Sequence, residues 1–345
     1  MRLADVWMIV VFLSLTLYIV LDGYDLGIGV LTLIEPDAGR RREMQELVSW
    51  LWDGNESWLV LLALALWAGL PTVTSVALPA LYIVLIPMLW SLIARNVGLE
   101  LADQHDRYRR AWGLVFGFGS FLAAFCQGAA FGGVVAGLPA HGSTFAGGPF
   151  TFLHDGYAIL TGLTAVVLYV VAGCAWLYLK TDGEVQRRAA RIGRPAVVLL
   201  AIGTAASWLL APAVGSLTLH PGAAARLPIW IVGASVLAAG LAFAFYSFQP
   251  GPHDARLELR PALAALAVYV GGVMLAAGLL YPTLVPPDVT VRSAASPHAT
   301  LLFLTLAAAV IIPIILTYQA FGYWVFKGKI YPGTGGELYE GTTAS

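Results

Sequence analysis

The chain has 345 residues, of which 59% are hydrophobic and only 11% charged, with a formal net charge of -1 and a mean hydropathy of +0.79. Soluble domains carry about a quarter charged residues, so this composition excludes a soluble fold and points to an integral membrane protein. The balanced charge leaves no basic footprint for nucleic acid, and the two cysteines, Cys126 and Cys174, lie in apolar runs that offer neither a disulfide framework nor a CxxC metal site.

A membrane-crossing helix needs about 20 mostly apolar residues. Nine such stretches are expected, over 4–33, 50–70, 73–97, 112–138, 151–179, 195–218, 227–248, 261–282 and 299–326. The gaps between them are too short for a soluble domain, so residues 1–345 read as a single polytopic, all-α transmembrane domain. Arg2 precedes the first run, but that run is too long for a signal peptide and has no small-x-small exit.

The first stretch contains LDGYDLGIGVL at 21–31, which places Asp22 and Asp25 at i, i+3 on one helix face. Gly23, Gly27 and Gly29 remove bulk beside them and let a neighbouring helix approach closely. The second stretch begins WLWDGNESWLV, with Asp53 and Glu56 again at i, i+3 and Asn55 and Ser57 among them. The third ends near Arg95, with Glu100 just beyond. An ionised carboxylate at the bilayer centre costs about 2.5–3.5 kcal/mol on insertion scales, so four acids within two successive spans need pairing, protonation or an interfacial depth.

Basic residues give the orientation. Alternate gaps hold Arg40, Arg41 and Arg42, then Arg107, Arg109 and Arg110 with Arg95 at the helix end before them. Next come Lys180, Arg187, Arg188, Arg191 and Arg194, then Arg256 and Arg260, and finally Lys327 and Lys329. Only Arg2, Arg226 and Arg292 fall on the other side. The N-terminus is therefore expected outside and the C-terminus in the cytoplasm, which puts both acid pairs near the cytoplasmic face.

Later spans carry few polar groups. His105, His141, His154, His220, His253 and His298 all fall in loops or at helix ends, and Met8, Met88 and Met274, the methionines within spans, have no partner at helical spacing. Haem iron needs buried axial ligands, so no haem ligand is expected in this chain. Trp50, Trp52 and Trp58 read as an interfacial aromatic belt, although a quinone or lipid stacked there is an alternative. The DGY at 155–157 repeats that at 22–24, but early rather than late in its helix, so no internal repeat follows.

Three roles remain open for the acids on these residues alone: proton uptake from the cytoplasmic side, a structural hydrogen-bond cluster tied to Arg95, or a cation site built on carboxylate and amide oxygens. A proton-coupled secondary transporter and a purely structural scaffold are both compatible with nine spans of this kind.

The motifs are more specific. LDGYDLGIGVL resembles the [D/E]-G-[F/Y]-D-x-G-x-G motif of subunit II of bd-type quinol oxidases, and WDGNESWLV resembles the W-D-G-N-[E/Q]-x-W-L signature of the same family. ARNVGLE, AFCQGAAFGGVVAGLP, WLYLKTDG and the stretch from AASP to IIPIILTYQAFGYWVFKGKI extend the resemblance over nearly the whole chain. Leu51 stands where the family usually has proline, and Arg292 and Ser293 where it has tryptophan and aspartate, which points to a divergent branch nearer the cyanide-insensitive group.

The resemblance implies a haem-free subunit of a complex in the bacterial cytoplasmic membrane that oxidises quinol, reduces dioxygen to water and takes its protons from the cytoplasm. Haems b558, b595 and d would belong to a partner, subunit I, with a small accessory subunit, lipid and quinone as further neighbours. By position, Asp25 and Asp53 match the acids implicated in proton uptake, and Asp22 and Glu56 their neighbours. Asn55, Arg95 and Glu100 are expected as supporting polar and ion-pairing groups, and no metal is expected in this chain.

Overall fold

A computed structural model describes residues 3–104, 106–153, 156–214, 223–248, 257–286 and 289–329. His105, His154, Asp155, His220, His253, Arg2, Arg256 and the C-terminal tail lie outside the described residues, and so do the expectations placed on them.

The chain runs α1 (Leu3–Ile34), α2 (Ala38–Ser49), α3 (Trp52–Leu64), a π-helical turn (Ala65–Gly69), α4 (Pro71–Gln104) and α5 (Arg109–Ala136). It continues through α6 (Tyr157–Lys180), α7 (Gly183–Val214), α8 (Ala223–Ser247), α9 (Leu259–Leu280), the short α10 (Val291–Ala294) and α11 (His298–Val325). Eight helices among the described residues are long and apolar enough to cross a membrane. The fold is all-α and membrane-embedded, as its composition demands; the strands among the described residues are two short antiparallel pairs, 140–141 with 144–145 and 283–285 with 289–290, within connections.

The second expected span, 50–70, is the one that differs. It is α3, thirteen residues long, followed by the five-residue π turn. Pro71 explains where it stops, because a proline disfavours helical backbone at the residue before it, and Leu70 is held at φ -130°, ψ 61°. The wide turn frees carbonyls, and Ser296 takes two of them: its backbone N–H donates to Gly69 O at 3.0 Å and its hydroxyl to Ala68 O at 2.7 Å.

Hydropathy also misses the polar extensions of helices. α7 begins at Gly183, twelve residues before the expected 195, because its basic first turns are helical but not apolar. α2 is a polar helix in what reads as a loop, started by Asp37, whose side chain accepts from Arg40 N at 2.9 Å. Glu35 ties that corner to α7 through Arg40 at 2.7 Å and Arg188 at 2.8 Å. Lys329 joins Asp182 at 2.8 Å to Glu258 at 2.7 Å, drawing the segment after α11 onto the ends of α6 and α9.

Among these elements α1 is central, packing chiefly against α6, then α5 and α3. The close approach is made by glycine. A Cβ on Gly173 of α6 would lie 2.7 Å from the carbonyl carbon of Gly27, so the two backbones touch there. Gly29 makes room for the side chain of Ser120 of α5, which a Cβ there would strike. Cys126 and Cys174 are free and buried, as small apolar side chains would be.

Candidate functional site

The glycine contacts press the Asp22–Asp25 face of α1 into the protein, where α3, α4 and α11 complete a polar centre. Asp22, Asp25, Asn55 and Arg95 are each 0% exposed. Arg95 reaches from α4 with its guanidinium forked between two acids: Nη1 donates to Asp22 Oδ1 at 2.8 Å and Nη2 to Glu56 Oε1. Its Nε donates to Asn96 Oδ1 at 3.1 Å, and Asn96 Nδ2 returns to Glu56 at 3.0 and 3.1 Å. Each group thus holds the next in place, which a buried ion pair requires to offset its desolvation.

Asp25 has no such cation. Its Oδ2 accepts from Asn55 Nδ2 at 2.8 Å, and its Oδ1 is buried with no protein partner. Asn55 is itself held on every side. Its Nδ2 also lies 2.9 Å from Tyr24 Oη and 3.0 Å from Leu21 O, and its Oδ1 accepts from Gln319 Nε2 at 2.7 Å and Tyr323 Oη at 3.1 Å. Trp58 Nε1 donates to Gln319 Oε1 at 3.0 Å, and the Tyr24 and Tyr323 hydroxyls are 2.8 Å apart.

The expected residues therefore divide. Asp22, Asp25, Asn55, Glu56 and Arg95 come together in one cluster, and the ion pair with Arg95 is made. Asp53 does not join it: it stands exposed in the first turn of α3, three residues outside Glu56. Glu100 is also elsewhere, exposed near the end of α4, where it accepts from Gln104 Nε2 at 3.3 Å. Trp58 departs from the expected aromatic belt, since it is fully buried and spends its N–H on Gln319. Trp50 stacks on Phe326 with ring centroids 5.1 Å apart.

The sequence reading missed Tyr24, Asn96, Gln319 and Tyr323 as cluster members. Gln319 and Tyr323 share a face of α11 at i, i+4 within an otherwise apolar run, which is the signal that could have found them. Among the described residues no three His, Cys, Asp or Glu side chains are grouped to hold a metal ion. The two described histidines, His141 and His298, are exposed.

Comparison with known proteins gives one answer. Residues 3–326 match the family model described as cytochrome bd terminal oxidase subunit II. The chain is 26% identical over 360 residues to cytochrome bd-I ubiquinol oxidase subunit 2 of Escherichia coli K12, covering 94% of each. It is 26% identical over 339 residues to cytochrome bd ubiquinol oxidase subunit 2 of Bacillus subtilis, covering 95% of this chain and 97% of that one. In fold it matches a chain of the bd oxidase structure from Geobacillus thermodenitrificans with a TM-score of 0.77 at 15% identity, covering 95% of this chain and all of the other.

Proposed function

This chain belongs to the cytochrome bd terminal oxidase subunit II family, and from that premise we propose that it is the haem-free subunit of a bd-type quinol oxidase, supplying part of the proton-uptake path. The complex would couple quinol oxidation to reduction of dioxygen to water electrogenically, with haems b558, b595 and d in subunit I. This chain would serve as its packing partner, a multi-pass protein of the bacterial cytoplasmic membrane.

The observation that carries the proton role is a charge imbalance in a graded setting. Three carboxylates, Asp22, Asp25 and Glu56, lie in the cluster with one guanidinium, Arg95, which pairs with Asp22 and Glu56 only. If all were ionised the cluster would hold two uncompensated negative charges, which a membrane interior does not tolerate without protons. Exposure falls along the same groups: Asp53 is exposed, the Glu56 side chain is 22% exposed, and Asp22 and Asp25 are 0% exposed. Asp53 would meet protons from water, Glu56 would hand them inward, and Asp25, with one amide donor and a free oxygen, would carry them. Arg95 keeps the acids together without neutralising them all.

The first test is a reduced-minus-oxidised visible spectrum of the complex purified through this chain. Bands of b- and d-type haem with a co-eluting larger membrane subunit are expected; a colourless, partner-free protein would refute the oxidase reading. Asp25→Asn in that complex is expected to lower oxygen consumption at least about tenfold with the haem bands retained, and Asp53→Asn to lower it less, because water can reach Glu56 directly. Full activity in both variants would remove the proton role.

A further inference from the structure

A buried lysine ends α6. Lys180 is 7% exposed, and no carboxylate pairs with it among the described residues. Its ammonium turns to α11 instead. Nζ donates to Phe326 O at 2.6 Å and to Gly328 O at 3.3 Å. It also lies 5.2 Å from the centre of the Trp176 ring, one turn back on the same face of α6. Phe326 is the C-cap of α11. The last carbonyls of a helix lack partners within it and carry the negative end of its dipole, so a cation there satisfies and attracts them. The same end is held twice more, by Lys329 on Asp182 and Glu258 and by Trp50 stacked on Phe326.

These ties matter because α11 is otherwise lightly held. It buries only Leu301 and Gln319 of its 28 residues, so packing within this chain does little to fix its C-terminal half. That half nevertheless carries two groups on which the cluster depends. Gln319 Nε2 and the Tyr323 hydroxyl both donate to Asn55 Oδ1. A carboxamide has one acceptor end and one donor end. Two donors on the oxygen leave the nitrogen to face Asp25, whose Oδ2 it reaches at 2.8 Å. If α11 shifts, both donors to Oδ1 leave with it, and the amide is free to turn its oxygen toward the acid. Trp176 links the lysine to this arrangement directly. Its ring stacks on Tyr24 with centroids 4.4 Å apart and meets Tyr323 edge-on at 5.9 Å.

We propose that Lys180 is a positioning residue for Asp25. By capping the C-terminal end of α11 it keeps Gln319 and Tyr323 on Asn55, and Asn55 then presents its amide hydrogens to the acid. The proposal rests on the reading of Asp25 as a proton carrier and adds the element that holds its donor in place.

The test uses the intact oxidase complex and two readouts: oxygen consumption per haem d, and cross-linking of α3 to α11. For the second, a short thiol-reactive cross-linker joins Gly54→Cys to Tyr318→Cys, since a Cβ on Gly54 would lie 3.7 Å from the Tyr318 ring. Lys180→Met keeps the stem and removes the ammonium. It is expected to lower kcat per haem d at least about threefold with the KM for quinol unchanged, as a small displacement of a positioned group does. It is also expected to lower the cross-linking yield, and Lys180→Arg should restore most of both. Wild-type turnover per haem d in Lys180→Met would overturn the proposal, whether the complex assembles fully or is merely lost in part. Reduced turnover with undiminished cross-linking would overturn it too, because the effect would not pass through α11. Asp25→Asn separates the two levels. If it leaves turnover intact while Lys180→Met still loosens the cross-link, the proton path is wrong but the hold of Lys180 on α11 stands.

Discussion

Glu43 of α2 shows how a single buried acid sets a pH dependence outside the membrane. Burial is the main cause that pushes its carboxyl from 4.5 up to about 7, with Glu46 and Asp182 adding to it and Arg40 opposing. Its Oε1 has no protein partner. Because the folded form holds the proton more tightly than the unfolded form, stability is unpenalised below pH 4.5 and declines as pH rises through about 7. Glu43→Gln removes the ionising group. It is expected to raise the unfolding temperature at pH 8 and to leave it unchanged at pH 4, measured on the purified chain in detergent; an equal rise at both would assign the gain to packing. The acids of the buried cluster were legible because a charge inside an apolar run stands out, and Arg95 could be named as their partner from its place near the end of an apolar run. Tyr24 and Gln319 were not, because tyrosine and glutamine do not stand out in such a run and only the packed helices show that these two are buried. Asp53 and Glu56 illustrate the reverse limit: i, i+3 spacing puts two residues on one face, but in the first turn of a helix the outer one, Asp53, still lies in solvent while Glu56 reaches the interior.

Helices meet here where side chains vanish, and the cost of restoring one depends on what it would strike. The glycines at 23, 27 and 29 announce close neighbours in the sequence; which neighbours follows only from the packing, and they are α6 through Gly173 at Gly27 and Ser120 of α5 at Gly29. A Cβ on Gly27 would lie 2.5 Å from the carbonyl carbon of Tyr169, a backbone atom that cannot swing aside. Gly27→Ala is therefore expected to cost at least the roughly 1–3 kcal/mol of core overpacking, and to reduce the yield of folded, haem-associated complex. Gly54, inside the equally distinctive WDGNE stretch, is the contrast. A Cβ there finds its nearest neighbour at 3.7 Å, the Tyr318 ring, which is ordinary contact. Gly54→Ala should be neutral or stabilising by up to about 1 kcal/mol through lost chain entropy. Equal damage from both substitutions, read as haem-containing complex per unit of membrane, would mean that another subunit reaches Gly54. Hydropathy has a matching limit in the long elements: a window finds the apolar length of α7 but not its basic first turns, and it ends the second span at Pro71 while treating α3 and the π turn as one, because apolar composition does not distinguish the two helix types.

At the scale of the molecule, exposed apolar surface does not say where a partner sits, because lipid tails satisfy leucine as well as another helix does. α11 buries only Leu301 and Gln319 of its 28 residues, and α4 exposes Ile86, Leu89, Trp90 and Ile93. Polar groups discriminate where apolar ones do not. On the proposed reading a proton carried inward by this chain leaves it toward haems in subunit I, and the acids nearest the surface, Glu56 at the edge of the cluster and the exposed Asp53 outside it, both belong to α3. Lipid contact on that helix would place carboxyl groups against hydrocarbon at a cost of several kcal/mol unless protein covers them. Subunit I is therefore expected on α3. Val60, 69% exposed and one turn beyond Glu56, is the place to look, and Ile231 of α8, 56% exposed and remote from the cluster, is its control. With a short thiol-reactive cross-linker in native membranes, Val60→Cys should give an adduct with the haem-bearing subunit and Ile231→Cys should not. The opposite pattern would place the partner against α8, on a face with no acid of the cluster, and a proton path through Asp25 would then have no outlet into the oxidase.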